Sequence, residues 1–270
     1  MLAAAPVVMV LGAAEAGKTT FTTWLANLLH AREHRVAIVD ADVGQSEIGP
    51  PATVGLGAVR APLARPGDAD LVAFAFVGAM SPGRQPWRTA EATGRLVLRA
   101  RAAFDRVVVD TSGFVAGGFA AALKQRKIAA ADPDLVVLLQ RADECEHLVR
   151  PLAERARPRV LRLPVVTGGR PRSPAVRRRH REAALARYFA DARAIVLDAT
   201  RVALRSLRDE PAALADVTLG ALIELRDADA RTLGLGVVEA VDVERATLRV
   251  RTTAGARAVA SVTIGEATAA

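Results

Sequence analysis

The segment Gly12-Ala13-Ala14-Glu15-Ala16-Gly17-Lys18-Thr19 fits the pattern G-x-x-x-x-G-K-[ST], and its flanks constrain the fold more than any other feature of the chain. Before it, Val7-Val8-Met9-Val10-Leu11 is an apolar run of buried-strand type. After it, Phe21, Trp24, Leu25, Leu28 and Leu29 fall on the i, i+3, i+4, i+7, i+8 stripe of a helix packed on one face. Strand, glycine loop and helix are the context in which the pattern carries a mechanism. Backbone N–H groups of such a loop turn toward phosphate oxygens, and the helix N-terminus adds a favourable dipole. Residues 12–19, followed by Thr20, are therefore the expected cradle of a nucleoside triphosphate. Lys18 is expected to reach the β- and γ-phosphates, and the Thr19 hydroxyl to ligate Mg²⁺.

Two further apolar runs end in acids. Arg35–Val39 leads into Asp40-Ala41-Asp42-Val43-Gly44-Gln45, and Phe104–Val109 into Asp110-Thr111-Ser112-Gly113. Strands of a parallel sheet open their C-terminal ends onto one edge, where the phosphate loop also lies. Asp40, Asp42 and Asp110 are thus expected around one nucleotide. Carboxylates there hold Mg²⁺ or accept a proton from an attacking hydroxyl. Asp110, behind its hydrophobic run, is a metal-side candidate, and Asp40 and Asp42 stand beside it and Thr19 as further candidate ligands.

Length and composition fit this picture. At 270 residues, 51% hydrophobic and 24% charged, the chain suits one large domain with a small companion, and disorder is excluded as its main state. The longest run without a charge is Met1–Ala14, too short for a bilayer span. The lone Cys145 forms no internal disulfide, and the four histidines show no ligand spacing, so a reduced, cytoplasmic protein without a membrane anchor is expected. Only three lysines, Lys18, Lys124 and Lys127, stand beside 34 arginines, which singles out each lysine.

Between Arg150 and Arg181 lie 11 arginines and one acid, Glu154, for a net +10 in a chain of +8. Within this block Thr167-Gly168-Gly169-Arg170-Pro171 is loop chemistry. Ser173-Pro174 looks like the N-cap and first position of a helix. That helix carries Arg177, Arg178, Arg179 and Arg181, with Leu185, Tyr188 and Phe189 as its docking face. Such a helix suits a lid that neutralises a moving phosphoryl group, and equally a track for a nucleic-acid backbone. No other continuous stretch interleaves aromatics as a strand-stacking platform does.

Three pieces together, residues 12–20, the segment from Asp40 to Pro51, and Arg172-Ser173…Arg177…Arg181…Tyr188-Phe189, resemble the P-loop polynucleotide 5′-hydroxyl kinases. Phe76-Val77-Gly78 with Ser81-Pro82, the Asp110–Gly113 strand end and Asp132-Pro133-Asp134 support the match, which covers about residues 6–190. The resemblance implies ATP or another NTP as donor, Mg²⁺, and an RNA or DNA 5′-hydroxyl end as acceptor. It implies Asp42 as the group that orients and deprotonates that hydroxyl, and Arg172, Arg177 and Arg181 as lid arginines. Where relatives place a base-clasping tryptophan this chain has Phe114, a smaller ring without an indole N–H. Gln45 and the Gly78–Pro82 loop, with Ser81, are implied on the acceptor side. The separate N-terminal domain of larger relatives is expected to be missing, since the first strand starts at about Val7.

The expected architecture is α/β, a three-layer P-loop domain with a mostly parallel sheet over residues 1–205, its lid at about 168–190. A small β module follows over 206–270, read from strands at Ala221–Leu225, Gly234–Val241 and Thr247–Thr252 and expected mainly as a structural appendage, with a nucleic-acid grip or a dimer contact as the alternative. Two other functional classes share the motifs: a nucleotide-dependent switch GTPase or ATPase, and a catalytically silent RNA-processing scaffold. The switch reading lacks an N-K-x-D guanine motif; the scaffold reading is at odds with intact Lys18, Thr19 and Asp42.

Overall fold

The structure, a computed structural model, describes residues 2–165 and 173–269. The chain opens with β1 (Val7–Gly12), α1 (Lys18–His30), β2 (Val36–Ala41), β3 (Thr53–Val59) and β4 (Asp70–Phe76). It continues through α2 (Pro86–Arg101), β5 (Arg106–Thr111), α3 (Gly117–Ala131), β6 (Leu135–Gln140), the short α4 (Glu146–Val149), β7 (Arg159–Pro164) and α5 (Pro174–Tyr188). The remainder is β8 (Arg193–Asp198), β9 (Ala203–Arg205), β10 (Ala221–Arg226), β11 (Thr232–Asp242), β12 (Thr247–Thr252) and β13 (Ser261–Thr268).

Seven strands form the first sheet in the order β4-β3-β2-β5-β1-β6-β7. From β2 to β7 the pairings are parallel, while β3 and β4 add an antiparallel edge. Side chains alternate across this sheet, and its strands are apolar on both sides. Val7, Met9 and Leu11 face a core shared with Leu96 and Val97 of α2 and Ile128 of α3. Val8 and Val10 face Leu25, Ala26 and Leu29 of α1. The three expected layers are therefore present, each burying one face of the sheet. One detail of the expected α1 stripe changes. The buried side of α1 runs through Thr22, Leu25, Ala26 and Leu29, while Trp24 is exposed and leans on Phe21 with ring centroids 5.4 Å apart.

A six-stranded second sheet follows, ordered β8-β12-β11-β10-β13-β9. It takes in β8 and β9, so it begins at residue 193, ahead of the boundary expected at 206. Pairing explains this: β8 runs antiparallel to β12, with Leu197 opposite Leu248, a partner about fifty residues away that no local pattern announces. One face of this sheet closes a core of its own around Ile223, Leu225, Leu248 and Val250. The other receives Leu185 and Phe189 of α5 and Phe76 of β4. The Gly78 carbonyl also accepts the Glu266 and Ala267 amides of β13, at 2.8 and 2.9 Å. No helix among the described residues is long and apolar enough to cross a membrane.

Candidate active site

Register brings the acids together. Asp40 of β2 lies beside Asp110 of β5, and β1 pairs with β5 on its other side. All three strands end on the same edge, so their acids and the phosphate loop line one cavity of about 480 Å³. Its wall includes Lys18, Thr19, Thr20, Asp40, Asp42, Gln45, Ser81, Asp110, Phe114, Arg177 and Arg181. Gly113 lets the two loops meet: a Cβ there would sit 2.6 Å from the Ala14 backbone. Of the expected phosphate-loop residues, Ala14, Glu15 and Gly17 also reach the wall, while Gly12, Ala13 and Ala16 shape the loop behind it. Arg172 and the Thr167–Pro171 segment lie outside the described residues.

The three carboxylates hold different positions. Asp40 is buried, and its two oxygens accept the amides of Asp42 (3.0 Å), Glu47 (2.6 Å) and Ile48 (3.1 Å). It organises the loop that follows β2. Burial, with Asp110 and Asp42 nearby, pushes the Asp40 carboxyl up to about 8. Asp42 is only partly buried. Its Oδ1 accepts the amides of Gly44 and Gln45 at 3.1 and 3.2 Å, while no described residue donates to Oδ2. Asp110 accepts the Thr19 hydroxyl at 2.9 Å on Oδ2 and the Thr111 amide at 2.8 Å on Oδ1. Burial pushes its carboxyl up to about 6, although Lys18 and the Thr19 hydrogen bond pull the other way.

Lys18 is itself buried, and its ammonium donates to the Ala13 carbonyl at 2.7 Å. Burial lowers its pKa, opposed by Asp110 and Asp42. The other two lysines of the chain come to the same place from α3, though sequence reasoning gave them no role. Both are fully buried. Lys127 donates to the carbonyl of Ala41, between Asp40 and Asp42, at 2.7 Å. Lys124 reaches the Thr111 hydroxyl at 3.1 Å and the Ser112 carbonyl. Buried ammonium groups persist where carbonyls and carboxylates surround them. The signal in the sequence was their rarity among so many arginines.

The N-terminal half of α5 lies over this edge. Ser173 caps it, accepting the Val176 amide at 3.3 Å, with Pro174 next, as expected. The Gln45 side chain reaches the Arg177 carbonyl (3.4 Å), and His180, which sequence reasoning passed over, contacts the Ser46 carbonyl (3.3 Å). At the far end, the Tyr188 hydroxyl accepts the Leu235 amide of the second sheet at 3.0 Å. The basic block divides. Arg177 and Arg181 line the cavity. Arg157 pairs with Asp134 (3.0 Å), Arg162 with Glu146 (2.7 Å) and Arg178 with Glu182 (3.6 Å).

The Thr19 hydroxyl and Asp110 carboxylate make an oxygen-only pair beside the phosphate loop, a donor set that fits Mg²⁺. No three His, Cys, Asp or Glu side chains among the described residues group as a metal site.

The parallel sheet, the loop at the end of β1 and the acid at the end of β5 define a P-loop nucleotide-binding protein. A family model described as mRNA cleavage and polyadenylation factor CLP1 P-loop matches residues 12–191, and the chain belongs to that family. A polyribonucleotide 5′-hydroxyl-kinase of Pyrococcus furiosus is 33% identical over 188 residues, covering 70% of this chain and 52% of that protein. One of Pyrococcus horikoshii is 37% identical over 143 residues, covering 53% and 39%. The polyribonucleotide 5′-hydroxyl-kinase Clp1 of Xenopus tropicalis is 30% identical over 199 residues, covering 68% and 44%. The chain thus spans about half the length, or less, of these curated relatives. Among solved structures, Clp1p in complex with Pcf11p superposes with a TM-score of 0.74 at 13% identity, covering 97% of this chain and 74% of that one, a likeness of fold across both sheets.

Proposed function

We propose that this protein is a polynucleotide 5′-hydroxyl kinase that transfers the γ-phosphate of ATP to the 5′-hydroxyl end of RNA. The observation that carries the reading is Asp42. Two backbone amides fix one of its oxygens, and no donor among the described residues takes the other, in the cavity that also holds Lys18, Arg177 and Arg181. An immobilised carboxylate with an open lone pair is what a general base for a hydroxyl requires. The names of the curated relatives supply the reaction class.

In this reading Asp42 Oδ2 takes the proton of the 5′-hydroxyl as its oxygen attacks the γ-phosphorus, and the bond to the ADP leaving oxygen breaks. Lys18 exchanges the Ala13 carbonyl for phosphate oxygens. Arg177 and Arg181 neutralise charge on the transferring group. Thr19 and Asp110 would hold Mg²⁺, which when bound supplies further positive charge at the phosphates. Gln45 and Ser81 border the acceptor side, and Phe114 gives the terminal base a face to stack on.

The test is transfer of γ-labelled phosphate from ATP to a short 5′-hydroxyl RNA, beside the matching DNA and a 5′-phosphorylated control. Label is expected on hydroxyl ends and not on the control. Asp42→Asn should lower turnover by about 10²–10⁴-fold with ATP binding retained; near-normal turnover would remove Asp42 as the base. Tight ATP binding with no transfer by the wild type would overturn the kinase reading.

A further inference from the structure

Outside the cavity, the most unusual surface is a group of exposed aromatic rings beside its acceptor end. Phe114, Phe119 and Trp87 are 37%, 52% and 54% exposed, in a chain with only two tryptophans and seven phenylalanines. Large aromatic side chains are ordinarily drawn into cores or interfaces, so their gathering on one surface calls for an occupant. Phe114 lines the cavity, and Phe119, at the start of α3, lies 6.3 Å from it between ring centroids, tilted by 60°. Phe119 also borders the acceptor-side loop: a Cβ on Gly83 would meet its ring at 3.8 Å.

Seven residues further along α3, hence two turns or about 10 Å on along the same face, stands Arg126. Its guanidinium carbon lies 3.0 Å from the centroid of the Trp87 ring in the first turn of α2. No carboxylate among the described residues pairs with Arg126. A flat apolar ring with a cation stacked on it is a surface that accepts a nucleobase and its neighbouring phosphate together. The stations therefore run outward from the cavity in the order Phe114, Phe119, Trp87–Arg126. Three separate segments contribute, which is why no continuous stretch of sequence shows the pattern.

We propose that Phe119 and the Trp87–Arg126 pair form a stacking track for single-stranded nucleic acid, binding the nucleotides that follow the 5′ end held at Phe114. The proposal rests on the kinase reading for the direction of the strand. Continuity with the cavity and a positive Arg126 that pairs with no carboxylate among the described residues favour a polyanion with bases over a protein partner. The track predicts that the acceptor's length, beyond its terminal residue, sets its affinity.

Phosphoryl transfer is measured with 5′-hydroxyl RNAs of two, four and eight nucleotides, for wild type, Phe119→Ala and a Trp87→Ala/Arg126→Ala double variant. Binding of the octamer is measured in parallel by quenching of Trp87 fluorescence in a Trp24→Phe background, for that background alone and with Phe119→Ala. For wild type, kcat/KM is expected to rise with length. The octamer-to-dinucleotide ratio should fall about tenfold or more in each variant, given the usual contribution of one stacked base. Quenching by the octamer should weaken with Phe119→Ala.

A ratio unaltered in the variants, or losses equal at every length, overturns the track while leaving the kinase reading in place. Absent quenching by RNA likewise overturns it and leaves the patch to a protein partner. If no acceptor is phosphorylated, yet octamer quenching is seen and is weakened by Phe119→Ala, the track stands and the kinase reading falls.

Discussion

Asp110→Asn offers a test in which stability and function move in opposite directions. The Asp110 carboxyl is buried and lies at about 6 instead of 3.8. An acid whose folded value is raised holds its proton more tightly folded than unfolded. Its favourable contribution is complete below about pH 4 and is lost as pH rises through 6. At about 1.36 kcal/mol per pH unit, the shift amounts to about 3 kcal/mol of lost stability by pH 7, a large part of a domain's 5–15 kcal/mol or so. Asparagine keeps the shape and carries no charge to bury; its carbonyl oxygen accepts the Thr111 amide, and its NH2 donates to the Thr19 hydroxyl, which can act as acceptor. Without nucleotide or magnesium, the variant should therefore be more stable than wild type at pH 7, by up to about 3 kcal/mol in urea unfolding. At pH 5, where wild-type Asp110 is largely protonated, the gap should shrink to about half. Mg²⁺ with ATP should reverse the order, stabilising wild type far more than the variant, because the buried charge is what a cation at Thr19 and Asp110 requires. A variant less stable at pH 7, or a gap that does not change with pH, would refute the account of the burial. Equal stabilisation of both proteins by Mg²⁺ and ATP would remove Asp110 from the metal side.

Lys127→Met removes the charged donor to the Ala41 carbonyl, a bond of a kind contributing about 1.5–3 kcal/mol, and frees the Asp40–Asp42 loop. Turnover should fall about tenfold or more with ATP affinity little changed, a split read by steady-state kinetics beside nucleotide titration. Burial lowers Lys127 to about 8, so between about pH 8 and 10.5 the unfolded chain keeps a proton the folded one has lost. Wild type should gain stability with rising pH in that window, and Lys127→Met should not. Arg177→Ala and Arg181→Ala should each lower turnover by about 10²-fold, the usual effect of removing one preorganised donor; unchanged kinetics would return the pair to a solvated helix face.

What was legible in the sequence was whatever a single segment could show. Strands β1, β2 and β5 are apolar on both faces, so each reads as a continuous run, and the acids at the ends of β2 and β5 are brought together by parallel pairing alone. Strand β3 hid because Gly55 and Gly57 look like loop residues. Gly55 is there for close approach, since a Cβ would fall 1.9 Å from the Ile48 carbonyl oxygen. The arginine block looked continuous because its counterions, Asp134 and Glu146, come from other elements. Lys124 and Lys127 stood out by scarcity, yet nothing local showed that α3 delivers both ammonium groups to the strand ends. The difference between Asp40 and Asp42, two residues apart, lies in which backbone amides fold back onto each.

The second sheet, expected mainly as a structural appendage, packs against two sides of the site. On the acceptor side, the Gly78 carbonyl binds β13, Arg84 pairs with Glu266 at 2.9 Å, and Arg88 donates to the Leu207 carbonyl at 2.6 Å. On the lid side, Leu185 and Phe189 are buried against Leu222, Leu235 and Val237, with Tyr188 bonded to Leu235. Arg181 and Arg177 precede Leu185 on the same helix by about one and two turns. The sheet is thus the common reference against which Arg177 and Arg181 and the Ser81 loop are positioned around the cavity that holds Asp42, and in the proposed kinase its packing would bear on catalysis as well as on folding.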